Sequence, residues 1–121
     1  MIRVLVVHDA LHEAKKMEHY ITSYCEDCRV ILCADAGKNE IMDIIENASK
    51  EIDVCFTKIK MRSVSGIQIA QKLRCKNARV KIVFVSYTDE YALDAWRLGI
   101  NDYLLEPVTM EKIHKSVKNI L

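Results

Sequence analysis

Residues 4–9 read Val-Leu-Val-Val-His-Asp, an apolar run of strand length that breaks directly into two polar residues. The pattern recurs three times: Val54 to Phe56 runs into Thr57 and Lys58, Ile82 to Val85 into Ser86, and Tyr103 to Leu105 into Glu106 and Pro107. Short, continuously apolar, β-branched runs are what strands buried on both faces of a parallel sheet look like. If these four are parallel in one sheet, their carboxyl ends lie along one edge, which is where open α/β folds place their chemistry. His8, Asp9, Lys58, Ser86 and Glu106 then share one candidate pocket, with Pro107 beside it as a cis-proline candidate.

Working outward, strand and helix signals alternate along the whole chain. Strands are expected at Ile2–Val7, Arg29–Ala34, Asp53–Thr57, Lys81–Ser86 and Asp102–Leu105. Helices are expected at Ala10–Tyr24, Lys38–Ser49, Ser65–Lys76, Asp89–Leu98 and Met110–Leu121. Ile41, Ile44, Ile45 and Ala48 make one helical stripe and Ile113, Val117 and Ile120 another, the spacing of a face packed on a core. Gly37 precedes the second helix, Gly99 follows the fourth, and Thr109 is placed to cap the fifth behind the only proline. Five βα units joined by right-handed crossovers make an α/β, doubly wound (βα)5 fold, a five-stranded parallel sheet with helices on both faces.

Composition narrows the function classes. A chain of 121 residues, half of them hydrophobic, builds one core but hardly two, so residues 1–121 are read as a single domain. The net charge of +1, with both signs intermixed, leaves no nucleic-acid footprint and no membrane-binding face. The apolar start at Ile2–Val7 is too brief for a signal peptide and lacks a small-residue cleavage site, so a cytoplasmic location is expected. Five cysteines, Cys25, Cys28, Cys33, Cys55 and Cys75, are then expected as reduced thiols. Cys33 and Cys55 fall in strand-like runs and read as small buried hydrophobes. Cys25 and Cys28 have the spacing of a redox or zinc half-site, but they follow a helix instead of opening one, and only His19, Cys33 or a partner chain could complete a zinc site.

The layout resembles the receiver domain of two-component response regulators, a flavodoxin-like, CheY-like fold. The segment Ser86 to Val108, SYTDEYALDAWRLGINDYLLEPV, looks like the subclass that precedes LytTR-type DNA-binding domains. The resemblance implies the strand order 2-1-3-4-5 and the N-terminal regulatory part of a transcription regulator. It also implies an acid pair after the first strand, a phosphate-accepting aspartate after the third, a Ser or Thr after the fourth and Lys-Pro after the fifth. Here those positions hold His8-Asp9, Lys58, Ser86 and Glu106-Pro107.

The changed residues carry a chemical consequence of their own. Forming an acyl phosphate takes a carboxylate nucleophile and a hard divalent cation held by oxygen ligands. A lysine ammonium has no lone pair at neutral pH unless burial depresses its pKa strongly. A magnesium ion about 4 Å from that ammonium would be repelled by about 8 kcal/mol at an effective dielectric near 20. His8, a nitrogen ligand, suits zinc or copper better. Neither magnesium binding nor magnesium-assisted phosphorylation is expected, and no cofactor or enzymatic activity is implied. Acid and base have traded places, so Lys58 and Glu106 are expected to contact each other as a reversed ion pair tying the third strand to the fifth. The alternative is phosphorylation at another residue, Asp9 or Asp53, although Asp53 begins its strand and belongs at the wrong edge.

Ser86 and Tyr103 match the hydroxyl and aromatic that move together in active receivers; the simpler reading has Ser86 capping the pocket and Tyr103 packing on the fourth helix. Tyr91, Trp96 and Tyr103 are expected to cluster on the face made by the fourth helix, fifth strand and fifth helix, through which receivers dimerise or meet protein partners. Lys58, Lys60 and Arg62 form a basic run that either binds an anion or is a solvated loop. A small flavin carrier shares the architecture, but His8-Asp9-Ala10-Leu11 offers no glycine for a phosphate loop.

Overall fold

The computed structural model describes residues 1–121. Its strands are β1 (Ile2–His8), β2 (Cys28–Ala34), β3 (Val54–Lys58), β4 (Lys81–Ser86) and β5 (Asp102–Leu105). They alternate with α1 (Leu11–Tyr24), α2 (Lys38–Ala48), α3 (Gly66–Lys76), α4 (Ala92–Leu98) and α5 (Met110–Ile120). All strand pairings are parallel and the order is 2-1-3-4-5, as the resemblance implied.

The pleat sorts the apolar runs into two cores. Val4, Val6, Val54, Phe56, Val83 and Val85 face α1 and α5, meeting Met17, Ile21, Ile113 and Val117. Leu5, Val7, Cys55, Ile82 and Phe84 face the other way, onto Ile41 and Ile45 of α2 and Ile69 and Leu73 of α3. Because both faces are covered, the strands read as unbroken hydrophobic runs instead of alternating ones. The register then fixes the site: Val7 pairs with Thr57, Lys58 with Val85 and Ser86 with Leu105. The last residues of β1, β3, β4 and β5 are thus level at one edge.

Several boundaries move by a residue or more from the sequence expectation, each for a local reason. β3 runs Val54–Lys58, not Asp53–Thr57, because Lys58 is held in register with Val85 while Asp53 turns its carboxylate onto the Arg3 N–H at 2.9 Å. β1 gains His8, paired with Ala34, and β2 gains Cys28, paired with Ile2. Ala10 is the N-cap of α1 and not its first turn, its N–H being taken by His8 Nδ1 at 2.9 Å. α3 starts at Gly66, with Ser65 as an N-cap in a reciprocal capping box with Gln68. α2 stops at Ala48 and tightens into a 3-10 turn over Ser49–Glu51. α4 begins at Ala92 and not Asp89, because the Thr88 carbonyl is taken by the Tyr103 hydroxyl at 2.6 Å and the chain from Thr88 to Tyr91 stays a turn. α5 ends at Ile120.

Two glycines have a steric role. Gly99 closes α4 in the left-handed region at φ 63°. Gly66 lies against β3 so closely that a Cβ there would collide with the Lys58 carbonyl and sit 2.9 Å from Ile59 Cα.

Candidate functional site

The level strand ends bring His8, Asp9, Lys58, Ser86 and Glu106 together. His8 is buried at the end of β1; its Nδ1 accepts the Ala10 N–H at 2.9 Å, which leaves the ring proton on Nε2. Nε2 faces Glu106 Oε2 at 3.6 Å, and both side chains are 2% exposed. Neither His8 Nε2 nor Glu106 Oε1 has a hydrogen-bond partner among the protein atoms. Asp9 lies nearer the surface, its Oδ1 3.3 Å from His8 Nδ1 and 3.4 Å from Lys58 Nζ. With Nδ1 already accepting from Ala10, the ammonium is the partner that balances Asp9.

Lys58 therefore does not contact Glu106, contrary to the expectation of a reversed ion pair across β3 and β5. The exchanged side chains are split into two contacts, the ion pair of Lys58 with Asp9 at the rim and Glu106 facing His8 beneath it. The reason is depth: Glu106 is buried under the edge, whereas Lys58 leaves the last position of β3 and reaches outward, its Nζ also 5.2 Å from the centre of the Tyr87 ring. Tyr87 was not singled out from the sequence, and no spacing rule connects it to Lys58. Lys112 was also missed. From the first turns of α5 its Nζ donates to the Leu105 carbonyl at 3.0 Å, so an amine does reach the end of β5, by a route seven residues distant in sequence.

Ser86 is buried, and its Oγ accepts the Thr88 N–H at 3.2 Å. Tyr103 packs on the core that includes Ala95 of α4; its ring stands edge-on to Phe84 with centroids 6.5 Å apart, and its hydroxyl ties down the turn before α4. Tyr91 packs on the same core as Tyr103, and the Glu90 carboxylate beside it pushes its phenol pKa up. Trp96 does not join them. It is 77% exposed on α4, one turn from the exposed Leu93, so the expected aromatic cluster is two half-buried tyrosines packed on the core and a separate surface tryptophan. The Glu106–Pro107 bond is cis.

Lys58, Lys60, Ser86, Tyr87 and Tyr91 edge an open hollow of ≈ 240 Å³ that also takes in Glu90. Arg62 turns away toward Asp35, at 3.9 Å in a well-solvated pair, so the basic run does not converge. Asp53 lies at the opposite, amino edge of the sheet, bound to Arg3. Cys25 and Cys28 are at that edge too. Neither His19, exposed on α1, nor Cys33, buried against α2, extends them, and no three His, Cys, Asp or Glu side chains are gathered as metal ligands would be. No helix is long and apolar enough to cross a membrane.

A family model described as the response regulator receiver domain matches residues 4–118. Among curated proteins, the sensory transduction protein LytT of Bacillus anthracis is 28% identical over 118 residues, 98% of this chain and 46% of that protein. The transcriptional regulatory protein NatR of Bacillus subtilis is 26% identical over 121 residues, 100% of this chain and 50% of that protein. The chain spans about half the length of the curated relatives it matches. Among solved structures, the response regulatory domain of protein mrkE from Klebsiella pneumoniae superposes with TM-score 0.86 at 20% identity, covering 98% of this chain and 94% of that one. CheY from Borrelia burgdorferi, in a complex with CheX, BeF3 and magnesium, gives TM-score 0.83 at 21% identity, covering 98% and 88%.

Proposed function

The chain belongs to the response regulator receiver family of two-component systems, and from that premise we propose that it is a degenerate receiver, a signalling module that does not use aspartyl phosphate. The observation that carries this reading is Lys58. It occupies the last position of β3, level with Val85 of β4, and its ammonium is 3.4 Å from the Asp9 carboxylate. A nucleophilic carboxylate is missing from that position, and Asp9, the acid beside it, is already paired with the ammonium.

The donor set does not fit magnesium. A hard dication needs several oxygen ligands, whereas the pocket offers one rim carboxylate shared with an ammonium, a histidine whose Nδ1 lone pair is engaged, and a second carboxylate facing that histidine's Nε2. Phosphoryl transfer to Asp53 would require chemistry at the edge of the sheet opposite this pocket. The module is non-enzymatic and cytoplasmic, and acts at the front of a LytTR-type transcription regulator, in keeping with the sensory and transcriptional regulators it resembles across about half of their length.

Its output is contact with protein, either a partner or a second copy, across α4, β5 and α5. Support comes from the apolar side chains that face solvent there, Leu93, Trp96 and Leu105, of which the tryptophan is of a type enriched at interface hot spots. Incubating the chain with a small acyl-phosphate donor and magnesium is expected to leave its intact mass unchanged; a stable gain of one phosphoryl group would overturn the degenerate reading. Sedimentation across concentration is expected to show self-association weakened by Trp96→Ala, and a strict monomer at every concentration would exclude the second copy as occupant of that face.

A further inference from the structure

At the amino edge of the sheet, away from the polar pocket, two cysteines line one recess. Cys25 closes α1 as its C-cap, its N–H bound to the Ile21 carbonyl, and Cys28 opens β2 opposite Ile2. The two residues between them form a bend that is fixed from outside: the Asp27 carbonyl accepts the Ile2 N–H at 3.0 Å, and its carboxylate lies 3.5 Å from the N-terminal ammonium. Cys28 Sγ is 2.9 Å from the Cys25 carbonyl oxygen. Both side chains are half-buried and open onto one wholly apolar recess whose far wall is Val117, Ile120 and Leu121 at the end of α5. The other thiols are placed differently, Cys33 and Cys55 in the core and Cys75 exposed on α3.

We propose that Cys25 and Cys28 form a dithiol that a small-molecule disulfide oxidises to an intramolecular disulfide, making the junction of α1 and β2 a reversible modification site. The Cys25 thiolate attacks one sulfur of the oxidant RSSR, forming a mixed disulfide and expelling RS⁻. The Cys28 thiol then gives up its proton and attacks Cys25 Sγ, forming the Cys25–Cys28 bond and expelling a second RS⁻. The two cysteine protons end on the two released thiolates; the cysteine sulfurs are oxidised and those of RSSR reduced. Burial, the neighbouring Cys25 thiol and Asp27 push the Cys28 pKa up, so Cys28 keeps its proton longer and acts second. Drawing the two sulfurs together alters the wall against which the end of α5 packs. This chemistry is independent of the signalling reading, since it uses no residue of the polar pocket.

The test is made on the folded Cys75→Ser chain, incubated with excess glutathione disulfide at mildly alkaline pH, after which free thiols are alkylated and the chain is weighed and mapped. The expected product has lost two hydrogens, carries no glutathione, contains a peptide cross-linked through Cys25 and Cys28, and reverts with reductant. Adding Cys28→Ser is expected to arrest the reaction at a single glutathione adduct on Cys25. Recovery of both cysteines as alkylated thiols, or a stable double adduct, would overturn the proposal. So would loss of two hydrogens from a Cys25→Ser, Cys75→Ser chain, because the bond would then lie elsewhere.

Discussion

Lys58 and Asp9 keep 15% and 27% of their side chains exposed, so their attraction is screened more than a core pair and less than a free surface one. A double-mutant cycle of Lys58→Met and Asp9→Asn, read by urea unfolding, is expected to give a coupling of about 1 kcal/mol. The cycle of Lys58→Met with Glu106→Gln is expected to be additive to within about 0.5 kcal/mol, as for residues that share no contact. A larger coupling in the second cycle than in the first would mean that the charges are paired across β3 and β5 after all. The sequence named all three of these residues, because strand length and polarity place them at one edge. It mispaired them, since pairing depends on depth. Whether a side chain lies under the edge, like Glu106, or over it, like Lys58, is set by the neighbours packed around it.

Among the elements, the loop from β3 to α3 controls where Lys58 points. The Gly66 N–H donates to the Ile59 carbonyl at 2.8 Å, and the absence of a Cβ is what lets the first turn of α3 lie on the end of β3. Gly66→Ala is expected to cost on the order of 2 kcal/mol in chemical denaturation, as overpacking does, and to displace Lys58, read as a change in the Tyr87 ring resonances by NMR. A variant of unchanged stability and unchanged Tyr87 spectrum would show that the loop absorbs the methyl group elsewhere. The α3 helix is tied on its other side by Arg74, whose guanidinium donates to the carbonyls of Val80, Leu98 and Gly99. This clamp holds the end of α4 and was not legible in the sequence, because its acceptors are backbone atoms and a guanidinium shows no preference for the residue types that carry them. The late start of α4 has the same origin, a carbonyl claimed by the Tyr103 hydroxyl from fifteen residues away.

For the whole molecule, the core under α2 and α3 gives stability a dependence on alkaline pH. Burial raises the Cys33 thiol from its ordinary value of 9.0 to about 11 and pushes Cys55 up further. A raised thiol pKa favours the protonated, folded state, so its contribution is complete below pH 9.0 and is lost as the unfolded chain ionises first, from pH 9.0 through about 11 and beyond. Unfolding free energy is expected to fall over that range, and to fall less steeply in a Cys33→Ala, Cys55→Ala chain; equal slopes would remove the thiols as the cause. Both cysteines were readable as buried hydrophobes from their place in apolar runs, as were the five βα units and the two helical stripes. The period of hydrophobic residues settled the fold and the edge at which the polar residues gather, because burial on both faces of a parallel sheet leaves a pattern in the chain itself. What only tertiary structure decided was which of those polar atoms meet, which aromatics are buried and which two thiols lie together. Such contacts join residues distant along the chain, and their free energy depends on distance and solvent access, which no local pattern encodes.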